Sequence, residues 1–135
     1  MPNNVENAAI EIVVTYLEQQ GYEVANVSRS KRRNPEHRGF DLVASRRDAE
    51  TLKIEVKGCT HPWGIPDLYE TEFDSDRQLI ADFLYVVYFL NGKPPQLCAI
   101  PRIAIKPEHV RPKAGFRISS RFKNRQSLEP FLLKL

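Results

Sequence analysis

The sequence predicts a mixed α/β domain whose central sheet is flanked by helices, in the order α-β-β-β-α-β-β. Three observations carry that prediction. Residues 5–20 place apolar side chains at helical spacing. Residues 40–44, apolar around Asp41, and residues 52–57, in which apolar and charged residues alternate, are strand-like runs separated by a polar stretch of hairpin length. Residues 84–90 and 96–100 are two more such runs, on either side of an Asn-Gly turn. A chain of 135 residues can bury one real core but not two, so residues 1–135 are expected to form a single domain, with a core over 5–101 and a basic extension over 102–135.

In the first helix, Ala9, Ile12, Val13, Tyr16 and Leu17 recur on one face, and Gly21 supplies a stop. Residues 22–28 alternate, with Tyr22 and Val24 on one side, and read as a strand. Residues 29–38 are strongly basic, contain Asn34-Pro35 and run into Gly39, which makes them a loop. Two strands follow, joined by the polar segment 45–50. Residues 59–66 contain two prolines and Gly64 and read as another loop. Ser75 with Gln78 three positions on matches a capping box, so a short helix is expected from there to about Asp82, or a longer one from Pro66. Residues 84–90 form a buried strand, Asn91-Gly92 a turn and residues 96–100 the next strand. Residues 116–120 suggest a strand, and residues 127–135 a terminal helix capped by Ser127.

Composition narrows the functional classes. Apolar residues make up 41% and charged residues 27%, an ordinary soluble balance. The longest apolar run, residues 81–90, is too short to span a membrane, and residues 1–4 do not begin a secretory signal; a cytoplasmic location is expected. Cys59 and Cys98 have no Cys-x-x-Cys spacing, which favours reduced thiols over a disulfide framework. Cys59-Thr60-His61 offers two metal ligands but no second pair for zinc. The net charge of +3 is unevenly spread. Arg29, Lys31, Arg32, Arg33 and Arg38 crowd one loop, nine Lys or Arg lie from Arg102 onward, and residues 67–82 hold six acids. Two basic regions on a mildly charged chain suit a polyanionic partner, although on the basic clusters alone a solvated surface is the simpler explanation.

The segment with chemical content is Gly39-Phe40-Asp41-Leu42-Val43-Ala44 followed by Ile54-Glu55-Val56-Lys57-Gly58. Side chains alternate along a strand, so Glu55 and Lys57 share one face while Ile54 and Val56 share the other. A hairpin turning about Asp48 pairs positions whose numbers sum to 96, which sets Asp41 opposite Glu55. Opposed Cβ atoms lie about 4.5–5.5 Å apart. Two carboxylates that close repel each other unless something compensates, and a divalent cation or Lys57 would do so. Converging carboxylates form a hard oxygen site suited to Mg²⁺ or Mn²⁺, with the Val56 carbonyl as a further donor. Such a cation acidifies bound water, and Lys57 would hold that water or stabilise developing negative charge. The competing reading is a cross-strand salt bridge with no cation. A lone Glu-x-Lys carries little weight; an Asp at hairpin register between Gly39 and Gly58 carries much more.

Gly-Phe-Asp-Leu, about a dozen residues, then Ile-Glu-Val-Lys-Gly resembles the PD-(D/E)xK nuclease superfamily, the restriction-endonuclease-like fold. The resemblance is nearest to Mrr-like and NO VEIN-type domains, with archaeal Holliday junction resolvases more distant. It spans residues 5–90; beyond about Pro101 nothing matches. It implies that Asp41 and Glu55 are metal ligands, that Lys57 is the catalytic lysine, and that the first helix adds a glutamate, for which Glu11 best fits the position. Phe40 stands where the motif's proline would be. The implied activity is metal-dependent endonucleolytic cleavage, of DNA ahead of RNA, with a homodimer as a further expectation. The alternative is a nuclease-fold module that binds nucleic acid or a partner protein without cutting.

The basic loop 29–38 leads straight into the Asp41 strand and would grip phosphates beside the site. His37, His61 and Trp63 are secondary candidates, Trp63 for stacking on a base. Asp67, Glu70, Glu72, Asp74 and Asp76 could include a further ligand, but helix capping and solvation explain them more simply.

Overall fold

The computed structural model describes residues 4–29, 34–61, 68, 72–76, 78–105, 110–112, 116–118 and 128–133. Helix α1 spans Asn4–Gln19 and buries Ala9, Ile10, Val13 and Leu17. Gly21, at φ +90°, ends it. Its amide donates to the Glu18 carbonyl and the Tyr22 amide to the Leu17 carbonyl, both at 3.0 Å, a left-handed cap that only glycine adopts without strain. Arg46 closes this end: one guanidinium nitrogen donates to the Gln20 carbonyl at 3.2 Å, and the group lies 4.5 Å from the Tyr22 ring centroid.

Six strands form the main sheet: β1 (Glu23–Asn26), β2 (Leu42–Ser45), β3 (Leu52–Cys59), β4 (Phe83–Tyr88), β5 (Gln96–Pro101) and, after two more strands, β8 (Leu132–Leu133), in the order β1-β2-β3-β4-β5-β8. Neighbours are antiparallel except β3 and β4, which run parallel. The expected register holds: Leu42 faces Ile54, Val43 faces Lys53 and Ala44 faces Leu52. The turn carries Asp48 at φ 65°, a conformation in which a short polar side chain is one of the few tolerated. β6 (Val110–Pro112) and β7 (Phe116–Ile118) pair as a separate antiparallel ribbon.

The sheet divides the core in two. On one side α1 packs over Leu42, Ala44, Ile54, Val56, Tyr85, Val87 and Leu97. On the other, Phe40, Leu84, Val86, Tyr88, Cys98 and Ile100 pack with Leu68, Phe73, Leu79, Ile105 and Leu128. The period-two alternation along β3 and β4 therefore serves both faces, as a central strand requires.

Two expected helices take other forms. Among the described residues of 72–80 no helical turn starts at Ser75. Instead Phe73 bridges Leu79, the Asp74 amide donates to the Gln78 carbonyl at 2.8 Å, and Asp74 Oδ1 accepts from the amides of Asp76 at 2.8 Å and Gln78 at 3.0 Å. Asp74 has captured the amides that a helix N-terminus would have offered, which is how such side chains divert a backbone from helix. The start of the longer alternative at Pro66 lies outside the described residues. At the C-terminal end, Glu129–Phe131 form a single 3₁₀ turn and Leu132–Leu133 join the sheet against β5; Ser127 lies outside the described residues. The basic loop holds a 3₁₀ turn, Pro35–His37, whose first exposed amide is satisfied by Asn34. No helix among the described residues is long and apolar enough to cross a membrane.

Candidate active site

Four charged side chains are buried among the described residues: Asp41, Glu55, Lys57 and Glu72, exposed by 2%, 0%, 6% and 2%. Charges are buried at a steep cost, so four in one place demand mutual compensation. They arise from three elements. Asp41 sits immediately before β2, where its amide donates to the Ile54 carbonyl at 2.8 Å and its carbonyl accepts from Val27 at 2.8 Å. Its carboxylate turns onto β3 and accepts from the Val56 amide at 3.0 Å. Glu55 and Lys57 alternate with Ile54 and Val56, which pack under α1, so both point to the opposite face as expected.

The carboxylate oxygens of Asp41, Glu55 and Glu6 lie within 4.8 Å of one another. Glu6 belongs to the first turn of α1. It reaches the cluster because α1 comes very close to β3 at Gly58. A Cβ on Gly58 would lie 2.7 Å from Val5 Cγ1 and 2.9 Å from the Val5 carbonyl oxygen. Glu11 is exposed, beside a shallow groove lined by Ile12, Thr15, Tyr16, Gln19 and Pro95, and is not brought to the cluster.

Lys57 Nζ lies 3.4 Å from Glu55 Oε2 and 3.1 Å from Glu72 Oε1. Burial alone would lower the ammonium's pKa, but Glu72, Glu55 and Glu6 outweigh it and hold the group above its ordinary range. Burial lifts the Glu55 carboxyl well above its usual range; the neighbouring carboxyls of Glu72 and Asp41 add to this, and Lys57 opposes it. The sequence reading passed over Glu6 and gave Glu72 no special weight. An acid in the first helical turn and a small residue directly after Lys57 were the available signals for Glu6.

The remaining candidates are scattered. Arg29 and Arg38 are exposed at the two ends of the described loop, while Lys31, Arg32, Arg33 and Trp63 lie outside the described residues. His37 packs edge-on against Phe40, 6.2 Å between ring centroids. Cys59 and Cys98 are free thiols; Cys59 donates to the His61 carbonyl at 3.3 Å, and burial raises its pKa.

A mixed sheet with one covering helix, and an Asp, a Glu and a Lys brought to one face by a hairpin, define an α/β domain of the kind the motif implied. The chain belongs to the family of the C-terminal domain of protein NO VEIN, whose model matches residues 5–100. A search of curated proteins finds no match. Among solved structures the chain is similar to Hjc of Archaeoglobus fulgidus, a Holliday junction resolvase from an archaeal hyperthermophile. That likeness has 16% sequence identity and a TM-score of 0.47, and covers 96% of this chain and 91% of that one.

Proposed function

We propose that this domain is a metal-dependent phosphodiesterase that cleaves nucleic acid, DNA ahead of RNA. The observation that carries this reading is the convergence of Glu6, Asp41 and Glu55 within 4.8 Å, with the Lys57 ammonium 3.4 Å from Glu55. The donor set fits a hard divalent cation: three carboxylates from α1, the start of β2 and β3, with no nitrogen or sulfur ligand among them. When bound, Mg²⁺ or Mn²⁺ would supply Lewis acidity and an acidified water.

The chain's own residues do the rest. Asp41, fixed through the Val56 amide, and Glu55, fixed in the middle of the sheet, hold two carboxylates at a set separation. Glu6 closes the set from the helix side. Lys57 remains charged and offers a point positive charge where negative charge builds on the phosphate. Exposed Arg29 and Arg38, with Lys31, Arg32 and Arg33 between them in sequence, supply backbone phosphate contacts on the segment that leads into Asp41.

A second reading is favoured by one observation: Lys57 is already ion-paired to Glu72 and deeply buried, as a purely structural lysine would be. On that reading the domain binds without cutting. Incubation with plasmid, single-stranded and branched DNA, and with RNA, in Mg²⁺, Mn²⁺ or EDTA separates the two. Divalent-dependent cleavage is expected, lost in Asp41→Ala and Lys57→Ala while both variants keep a wild-type circular dichroism spectrum. Undiminished cutting by either variant would remove the mechanism, and no cutting by the wild type would leave the binding module.

A further inference from the structure

We infer that Glu72 is the positioning residue for Lys57, fixing the ammonium so that it stays in place when Glu55 is engaged by a cation. This rests on the function proposed above. Lysine carries its charge on a flexible four-carbon stem, so a strand position alone does not define where Nζ sits. Two carboxylates hold it, Glu72 at 3.1 Å and Glu55 at 3.4 Å. Glu55 is one of the three converging carboxylates and Glu72 is not. A cation at that cluster commits the Glu55 oxygens, whereas Glu72 stays outside it and keeps its hold on Nζ.

Glu72 is well placed for this because its backbone is tied back onto the segment that enters β4. Its carbonyl accepts from the Ile80 amide at 2.9 Å, and Phe73 next to it is buried and bridged to Leu79. The far end of the same loop is pinned twice to β3. Asp82 donates its amide to the Lys53 carbonyl at 2.7 Å and accepts the Lys53 amide on its side chain at 2.8 Å. Ile80 packs so tightly on Gly39 that a Cβ there would lie 2.8 Å from Ile80 Cδ1. The loop is therefore clamped between the strand carrying Lys57 and the residues preceding Asp41. Glu72 is 2% exposed, and a carboxylate is not buried without a partner that needs it.

The test uses the full chain and the variants Glu72→Gln, which keeps shape and removes charge, and Glu72→Asp, which keeps charge. Steady-state cleavage of the best DNA substrate, Mg²⁺ affinity by calorimetry and the NMR signal of the Lys57 ammonium without metal are read side by side. Glu72→Gln is expected to lower kcat roughly 10- to 100-fold, the usual cost of removing a group that orients a reacting one. KM and Mg²⁺ affinity should stay near wild type. The Lys57 ammonium signal, sharp in the wild type, should broaden in Glu72→Gln, and Glu72→Asp should recover part of both the signal and kcat.

An unchanged or raised kcat in Glu72→Gln would overturn the inference, since Glu72 would then merely neutralise Lys57. Loss of Mg²⁺ affinity in step with kcat would also overturn it, by making Glu72 a ligand. If the wild type cuts nothing with any metal, the proposed function fails alone. An ammonium signal indifferent to Glu72→Gln sinks the positioning claim whether or not the protein cuts.

Discussion

Lys57 is surrounded by acids, and those acids do not share one job. Glu6 and Glu11 lie on the same helix, yet only Glu6 meets Asp41 and Glu55. Glu6→Gln is expected to weaken Mg²⁺ binding by about tenfold or more, whereas Glu11→Gln should leave it near wild type, both read by calorimetry. Glu55 adds a pH dependence whose sign can be worked out. Burial raises its carboxyl well above the usual carboxylate range in the folded state. Between the unfolded and folded pKa values the native state binds more protons, so stability is present at low pH and falls as pH rises through that window. Thermal melts of the metal-free protein, taken at rising pH from just above the ordinary glutamate pKa, should show a declining midpoint, and Glu55→Gln should flatten that decline. The convergence of Asp41 and Glu55 was legible because a strand's period is two and the turn at Asp48 sets the hairpin register, both local properties. The choice between Glu6 and Glu11 was not, because it depends on where α1 touches the sheet.

That contact belongs to the element scale. Gly58 follows Lys57 on β3, faces α1 and leaves room for Val5 to press against the strand. A methyl group there would meet both a side chain and a backbone carbonyl, so α1 must shift at its N-terminal end. Gly58→Ala should cost about 1–3 kcal/mol, the usual range for overpacking. It should also weaken Mg²⁺ binding as Glu6→Gln does, without touching an acid. A variant that loses stability but keeps full metal affinity would show that Glu6 does not depend on this close approach. The elements read most securely from sequence were α1, the β2–β3 hairpin and the β4–β5 pair, where periodicity and turn residues agree. The loop over 72–80 was misread because Ser75 and Gln78 mimic a capping box while Asp74, one residue earlier, takes the amides for itself. The terminal strand β8 was misread because Ser127 suggested a helix cap, and only pairing with β5 makes Leu132 and Leu133 a strand.

Across the whole molecule, charge is sorted by position. The buried cluster is rich in acids, while the described ends of the 29–38 loop present Arg29 and Arg38 to solvent. An anionic polymer held by such exposed cations binds with a strong dependence on salt. Arg29→Ala and Arg38→Ala should each weaken DNA binding and lower the slope of log affinity against log salt by about 1, without changing Mg²⁺ affinity. Slopes that match wild type in both variants would move the binding surface elsewhere. This distribution and its place next to Asp41 were both visible in the sequence, because the loop runs straight into that strand; the fold adds the hydrogen bond from the Val27 amide to the Asp41 carbonyl.

The mixed sheet also sets an order of assembly. Asp41 and Glu55 come from neighbouring strands of one hairpin, which can close locally and early. The loop bearing Glu72 is fixed only when β4 docks in parallel on β3, a slower event because a long intervening chain must first be gathered. Early in refolding, two like charges are thus pressed together before the rest of their surroundings arrive. A divalent ion supplied at that moment should act as a folding accelerant, and a chelator as a brake.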